Sequence, residues 1–107
     1  MKYYHATSAT NAWSIIDGGE IKTGFDGIVY LADSLENALR FVAVRTMCMS
    51  SCEPIIIFEI DIPKDKQKLV EETFDHNYNF FKCKSYGYPK NVPTSWITDI
   101  RQWLPKK

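Results

Sequence analysis

Close to the amino terminus, His5 is followed by two hydroxyl-bearing residues, Thr7 and Ser8. Histidine changes charge near neutral pH and can hold a ligand as donor or acceptor, while Ser and Thr hydroxyls also cap helices. A second grouping is acidic: Glu71, Glu72 and Asp75, with His76 directly after Asp75. A histidine beside an acid in a cleft could act as a general base. Asp75 with Asn77 reads equally well as a turn capped by its own side chains. Arg40 and Arg45 fall on the exposed side of a helix, where solvation is the default, although an Arg fork also suits phosphate. Cys48 and Cys52 are four apart and would share a helix face, yet no second Cys/His pair stands at ligand spacing, so no metal centre is expected. Tyr30 lies inside an apolar run, where tyrosine packs well on a pleated surface.

Composition bounds what these residues can serve. The chain has 107 residues, 45% of them hydrophobic and 14% aromatic, enough for one domain spanning 1–107 with a modest core. A domain this small cannot bury every aromatic, so some should line a cleft or a partner surface. Net charge is zero, which gives no global signal for nucleic acid or an anionic membrane. The longest apolar run, Ile55 to Phe58, is too short to cross a bilayer, and the amino terminus has no signal-peptide core. Three cysteines cannot all pair internally, and reduced thiols in a cytoplasmic protein are the expected state.

The elements that must position the site can be read in order. Tyr3 to Ala6 reads as a short aromatic strand. Thr7 to Thr10 supplies N-caps for a helix over roughly Asn11 to Ile16, with Ala12, Ile15 and Ile16 facing the core and Gly18–Gly19 ending it. Ile28 to Ala32 is a second strand, and Ser34 caps a second helix over about Leu35 to Arg45 with a stripe of Leu35, Ala38, Leu39 and Val42. Ile55 to Ile62 is nearly continuous in apolar and β-branched residues, the pattern of a strand buried on both faces inside a sheet. Beyond Pro63, strands are expected at Lys68 to Val70, Phe80 to Cys83 and Trp96 to Trp103. Alternation first and strands later predicts an α+β fold with two short helices in the N-terminal half.

Tyr4-His5-Ala6-Thr7-Ser8, then Asn11-Ala12, Ile15-Ile16 and Gly19, resembles the opening of the ADP-ribosyltransferase-like superfamily, where a Tyr-His-Gly-Thr-Ser strand end precedes a helix and a glycine. Gly27 to Leu31 with Asp33-Ser34 and Ala38 to Phe41 is similar to that family's second strand and following helix. Ile55 to Pro63 is similar to its central strand, and Val92 to Ile97 to its Val/Ile-Pro-Pro-x-x-Ile stretch. The resemblance covers most of the chain in order. It implies a split β-sheet whose cleft holds NAD as substrate, and breakage of the nicotinamide–ribose bond through an oxocarbenium-like transition state. It implies that His5 bonds the ribose, that the backbone at Ala6 holds the carboxamide and that Tyr30 stacks on nicotinamide. The wider NAD-binding set would add Thr7, Ser8, Phe41, Arg45 and Ser95.

Two departures from the family pattern matter. Ala6 stands where a glycine is usual, which requires a negative φ there. Ser95 stands where many members carry an acid. Rifampin-modifying transferases place an Asp earlier, in an acidic segment that Glu71 to Asp75 resembles, which implies Asp75 as the charge-stabilising acid with Glu72 second. RNA 2′-phosphotransferases also resemble the tail, and Arg45 falls near one of their helix arginines. They carry a further Arg where Ala9 and Thr10 stand and an N-terminal lobe missing here, so phosphotransfer is not expected. The implied activity is that of a small mono-ADP-ribosyltransferase, of the kind found as bacterial or phage effectors, with a protein, nucleic-acid or small-molecule acceptor. The alternatives are an inactive NAD- or nucleotide-binding module on the same fold, and an interaction protein using exposed aromatics.

Overall fold

The strongest β-former in the chain organises the rest. In the computed structural model, which describes residues 2–24, 26–40, 54–73 and 85–104, Ile55–Asp61 forms strand β4. It pairs antiparallel along its length with β1, Lys2–Ser8, from Lys2 opposite Asp61 to Ser8 opposite Ile55. On its other side lies β8, Ile97–Trp103. The remaining members of this sheet are β3, Val29–Ala32; β5, Glu71–Thr73; and β6, Ser85–Tyr88. The order is β5-β6-β3-β1-β4-β8, every neighbour antiparallel. A second, two-stranded sheet joins β2, Glu20–Ile21, to β7, Val92–Pro93. Helices in the N-terminal half and antiparallel strands make the architecture α+β.

The period-two pleat divides β4 between two cores, as its unbroken apolar run predicted. Phe58 and Ile60, with Ile62 just beyond the strand, pack with Tyr3, Leu31, Tyr88, Ile21 and Val92. Ile55 and Ile57 pack with Ala32 and Ala38 on the opposite face. The first face is covered by helix α1, Ala9–Gly18, and the β2/β7 ribbon; the second by helix α2 over residues 35–40, as far as the described residues run. Phe58 and Ile60 are wholly buried, and Tyr3 and Tyr86 meet edge-on at 5.5 Å across the intervening β3.

Both helices start where hydroxyl caps predicted. Ser8 is extended and its Oγ accepts the Asn11 N–H at 3.3 Å. Ser34 Oγ likewise accepts the Asn37 N–H at 3.1 Å. Gly19 ends α1 with φ of 80°, a conformation that favours glycine, and donates its N–H to the Ile15 carbonyl at 3.0 Å. Thr94 then ties this end down, its N–H and hydroxyl both reaching the Gly19 carbonyl, at 3.0 and 3.1 Å. Ala12 and Ile15 meet the sheet. Ile16, expected in the core, faces solvent at 46% exposure beside Trp13 at 68%.

The second half differs from expectation. Lys68 and Leu69 belong to a 3-10 helix, Gln67–Leu69, because Lys66 and Gln67 both donate to the Pro63 carbonyl and Gln67 Nε2 to Ile62 O at 3.0 Å. The strand begins after it, so Glu71 and Glu72 lie on the sheet's edge in β5. Strand β6 was not expected at all, since Gly87 and the nearby Pro89 weaken its signal. The segment from Phe80 to Cys83 lies outside the described residues.

Truncating Phe58 to Ala should cost about 3–5 kcal/mol of stability, the range for a fully buried aromatic. Ile16→Ser should stay within about 0.5 kcal/mol, as surface substitutions do. Urea denaturation of the two variants checks this contrast.

Candidate functional site

Strand β1 is fully laddered to β4 on one side, while on the other it pairs with β3 at Tyr4 opposite Ala32. One residue further along β1, the His5 ring meets the next strand in place of a backbone N–H. Its Nδ1–H donates to the Tyr30 carbonyl at 2.8 Å. A carbonyl can only accept, so the proton belongs on Nδ1, and Nε2 of the neutral ring is an acceptor. His5 is half-buried. Burial lowers its pKa below the ordinary 6.5, and the bond to Tyr30 opposes this only in part. The bond to Tyr30 therefore holds a neutral imidazole with one nitrogen committed to the fold.

Tyr30 is reached through its backbone, and its side chain goes elsewhere. His5 lies opposite Phe58 and so shares the α1 face with Leu31. Tyr30 alternates with Val29 and Leu31, and the pleat sends its ring toward the α2 face with Ala32. Its hydroxyl donates to Asp26 Oδ2 at 2.5 Å. Asp26 sits in a tight loop: Gly24 N–H reaches Ile28 O at 3.1 Å, Gly27 N–H reaches Gly24 O at 3.0 Å, and Gly27 has φ of 77°. Asp26 Oδ1 also accepts the Ile28 N–H at 3.2 Å. The Tyr30 hydroxyl, and then the Ile28 N–H, hold the Asp26 carboxyl below its usual range. Asp26 was missed in the sequence, although Asp-Gly before a β-branched run is a turn signal that could have drawn attention to it.

The other expected residues take definite places. Ala6 lies within β1 opposite Ile57, in extended backbone where a Cβ carries no strain, so glycine is not required there. Thr7 is buried opposite Ile56, and Ser8 has its hydroxyl engaged as the α1 cap. Ser95 is exposed in the 3-10 helix Thr94–Trp96, beside the Gly19 tie. It therefore sits by the carboxyl end of α1, about 15 Å from Ser8 at the other end of a ten-residue helix. Glu72 lies opposite Tyr86, Tyr86 opposite Leu31, and His5 is next in that row, so three strand spacings of about 4.8 Å separate Glu72 from His5. Phe41, Arg45, Asp75 and His76 lie outside the described residues.

Glu59 is a further carboxylate near β1, but it is engaged. It accepts from Lys2 Nζ at 3.0 Å, from Thr98 Oγ1 at 2.8 Å and from the Tyr4 hydroxyl at 3.3 Å. The Lys2 bond, followed by that of Thr98, keeps its pKa low. Among the described residues, no group of three or more His, Cys, Asp or Glu side chains could hold a metal ion, and no helix is long and apolar enough to cross a membrane.

This six-stranded antiparallel sheet, flanked by a helix on each face, has a counterpart among solved structures. No protein-family model matches the chain, and no curated protein matches it. The crystal structure of protein CC0527 from Caulobacter crescentus, a structural-genomics target, is similar in fold, with a TM-score of 0.65 at 8% identity over 95% of this chain and 85% of that one. At that identity the likeness bears on the fold alone.

The lowered His5 pKa sets a pH dependence. The unfolded chain takes up the proton first as pH falls through about 6.5, so native stability rises with pH across the window below that value and is complete above it. His5→Gln should flatten this part of the profile. Urea midpoints measured between about pH 5 and 8 should show the wild type losing more stability than the variant at the acid end.

Proposed function

We propose that the parting of β1 and β3 is an NAD site, and that the domain is an ADP-ribosyltransferase-like mono-ADP-ribosyltransferase. The observation that carries this reading is the state of His5, neutral, protonated at Nδ1 and bonded to the Tyr30 carbonyl at 2.8 Å. In that state Nε2 accepts a hydrogen bond from a ribose hydroxyl. The extended backbone at Ala6 runs past the same opening and supplies the peptide groups a carboxamide needs.

In the reaction the bond between the ribose C1′ and the nicotinamide nitrogen breaks, and its electron pair leaves with nicotinamide. The sugar is left with oxocarbenium character until an acceptor nucleophile adds and gives up its proton. Fixed negative charge near C1′ would favour that transition state. The acceptor is a protein side chain, a nucleic-acid base or a small molecule.

A second reading has its own support. Ser95 supplies a hydroxyl where an acid would be expected, and Glu72 stands three strands from His5. An NAD-binding module without turnover fits those two placements.

Calorimetric titration with NAD, with nicotinamide release followed in the same sample, separates the readings. Binding with release is expected for the enzyme and binding without release for the module. His5→Ala should weaken NAD binding about tenfold, as loss of one buried hydrogen bond does. The absence of both heat and release at millimolar NAD would remove the nucleotide reading.

A further inference from the structure

An open sheet has two edges, and each edge strand presents backbone N–H and C=O groups to which another strand can add. The two edges here differ. β5, Glu71–Thr73, is three residues long and carries two carboxylates. β8, Ile97–Trp103, is seven residues long, and no described strand lies beyond it. From Asp99 to Trp103 it runs in regular register along β4, the irregularity between Glu59 and Ile60 being taken up at Thr98. At its centre Ile100 lies opposite Phe58, yet is 50% exposed. Asp99 and Arg101 flank it. Arg101 Nε donates to Asp99 Oδ2 at 3.1 Å, and Asp99 Oδ1 accepts the Ile100 N–H at 2.9 Å.

We propose that β8 is a homodimer interface, at which two copies pair antiparallel, edge to edge, about a two-fold axis at Ile100. Read antiparallel to itself about that residue, the strand is self-complementary, as a two-fold contact requires. Asp99 comes opposite the partner's Arg101, Ile100 opposite the partner's Ile100, and Thr98 opposite the partner's Gln102. Residues directly opposite across two strands stand about 5 Å apart at Cβ. Asp99 and its own Arg101, two positions along one strand, are separated by about 6.8 Å of rise, so the exchange of partners brings the charges closer. The neighbouring two-fold registers that keep the faces aligned are centred on Asp99 or on Arg101. They set Asp99 against the partner's Asp99 or Arg101 against the partner's Arg101, which is unfavourable. Charge therefore selects the register centred on Ile100. The pairing joins two six-stranded sheets into one and covers the exposed Ile100. It involves β8 and not β1 or β3, so it is independent of the nucleotide reading.

Sedimentation equilibrium of the full chain tests the assignment. An edge-to-edge contact is at the small end of specific interfaces, so a Kd between about 1 µM and 1 mM is expected. Wild type should be a reversible dimer in that window. Asp99→Arg and Arg101→Asp each place like charges across the axis, and each variant alone should be monomeric. Mixed one to one, the basic edge of the first meets the acidic edge of the second, and the mixture should recover the wild-type dimer. The double variant Asp99→Arg/Arg101→Asp should recover it as well. Recovery also shows that both single variants are folded. Wild type that stays monomeric to about 1 mM overturns the proposal. So do single variants that dimerise as wild type does, a mixture that fails to recover, or a species larger than a dimer, since a two-fold contact closes on itself.

Discussion

A backbone carbonyl that faces a parted strand must find a donor, because an orphaned peptide oxygen inside a sheet is costly. For the Tyr30 carbonyl of β3 that donor is the imidazole of His5 on β1, and much of the site follows from this one bond. It commits Nδ1 as the protonated nitrogen, which makes Nε2 an acceptor. It also joins two strands that pair at Tyr4 opposite Ala32.

The support comes from unequal sides. β1 is laddered to β4 over all seven of its residues, and Phe58 and Ile60 are wholly buried beneath it. That side is rigid for the reason any close-packed core is. The β3 side is held by smaller devices: the Asp26 loop before the strand, β6 beyond it and α2 on one face. Capping at Ser8 and the Gly19–Thr94 tie keep α1 from sliding over the sheet. The Glu59 network with Lys2 and Thr98 crosses three strands near the sheet's edge, but it is solvent-facing and screened, so it adds register more than stability.

Much of this frame was legible. The apolar run from Ile55 to Ile62 can bury both faces only inside a sheet, and that is where β4 lies. Ser8, Ser34 and Gly19 acted as the helix signals they resemble, because capping is a local interaction. The parts that were not legible depend on contacts distant in sequence. Ile16 has helical spacing as good as that of Ile15, and packing against strands distant in sequence decides which of them meets the sheet. β6 has Gly87 at its centre and gains its stability from β3 and β5 on either side. Among site residues, His5 and Tyr30 are brought together, though through a side chain and a carbonyl and not ring to ring. Glu72 and Ser95 are carried away from His5 and Ser8 respectively by strand order and helix length, which no local pattern encodes. Asp26 was overlooked because a turn aspartate has a sufficient local explanation, and its bond to Tyr30 appears only once the loop is folded back.

The most direct measurement is nitrogen NMR of the His5 ring in a His76→Gln background, which leaves one histidine to observe. The expected result is a neutral ring protonated at Nδ1 at neutral pH, titrating below the ordinary 6.5, with the Nε2 signal shifting when NAD is added. A ring protonated at Nε2, or one titrating like an exposed histidine, would contradict the bond to Tyr30. An Nε2 signal indifferent to NAD would contradict its role in the site.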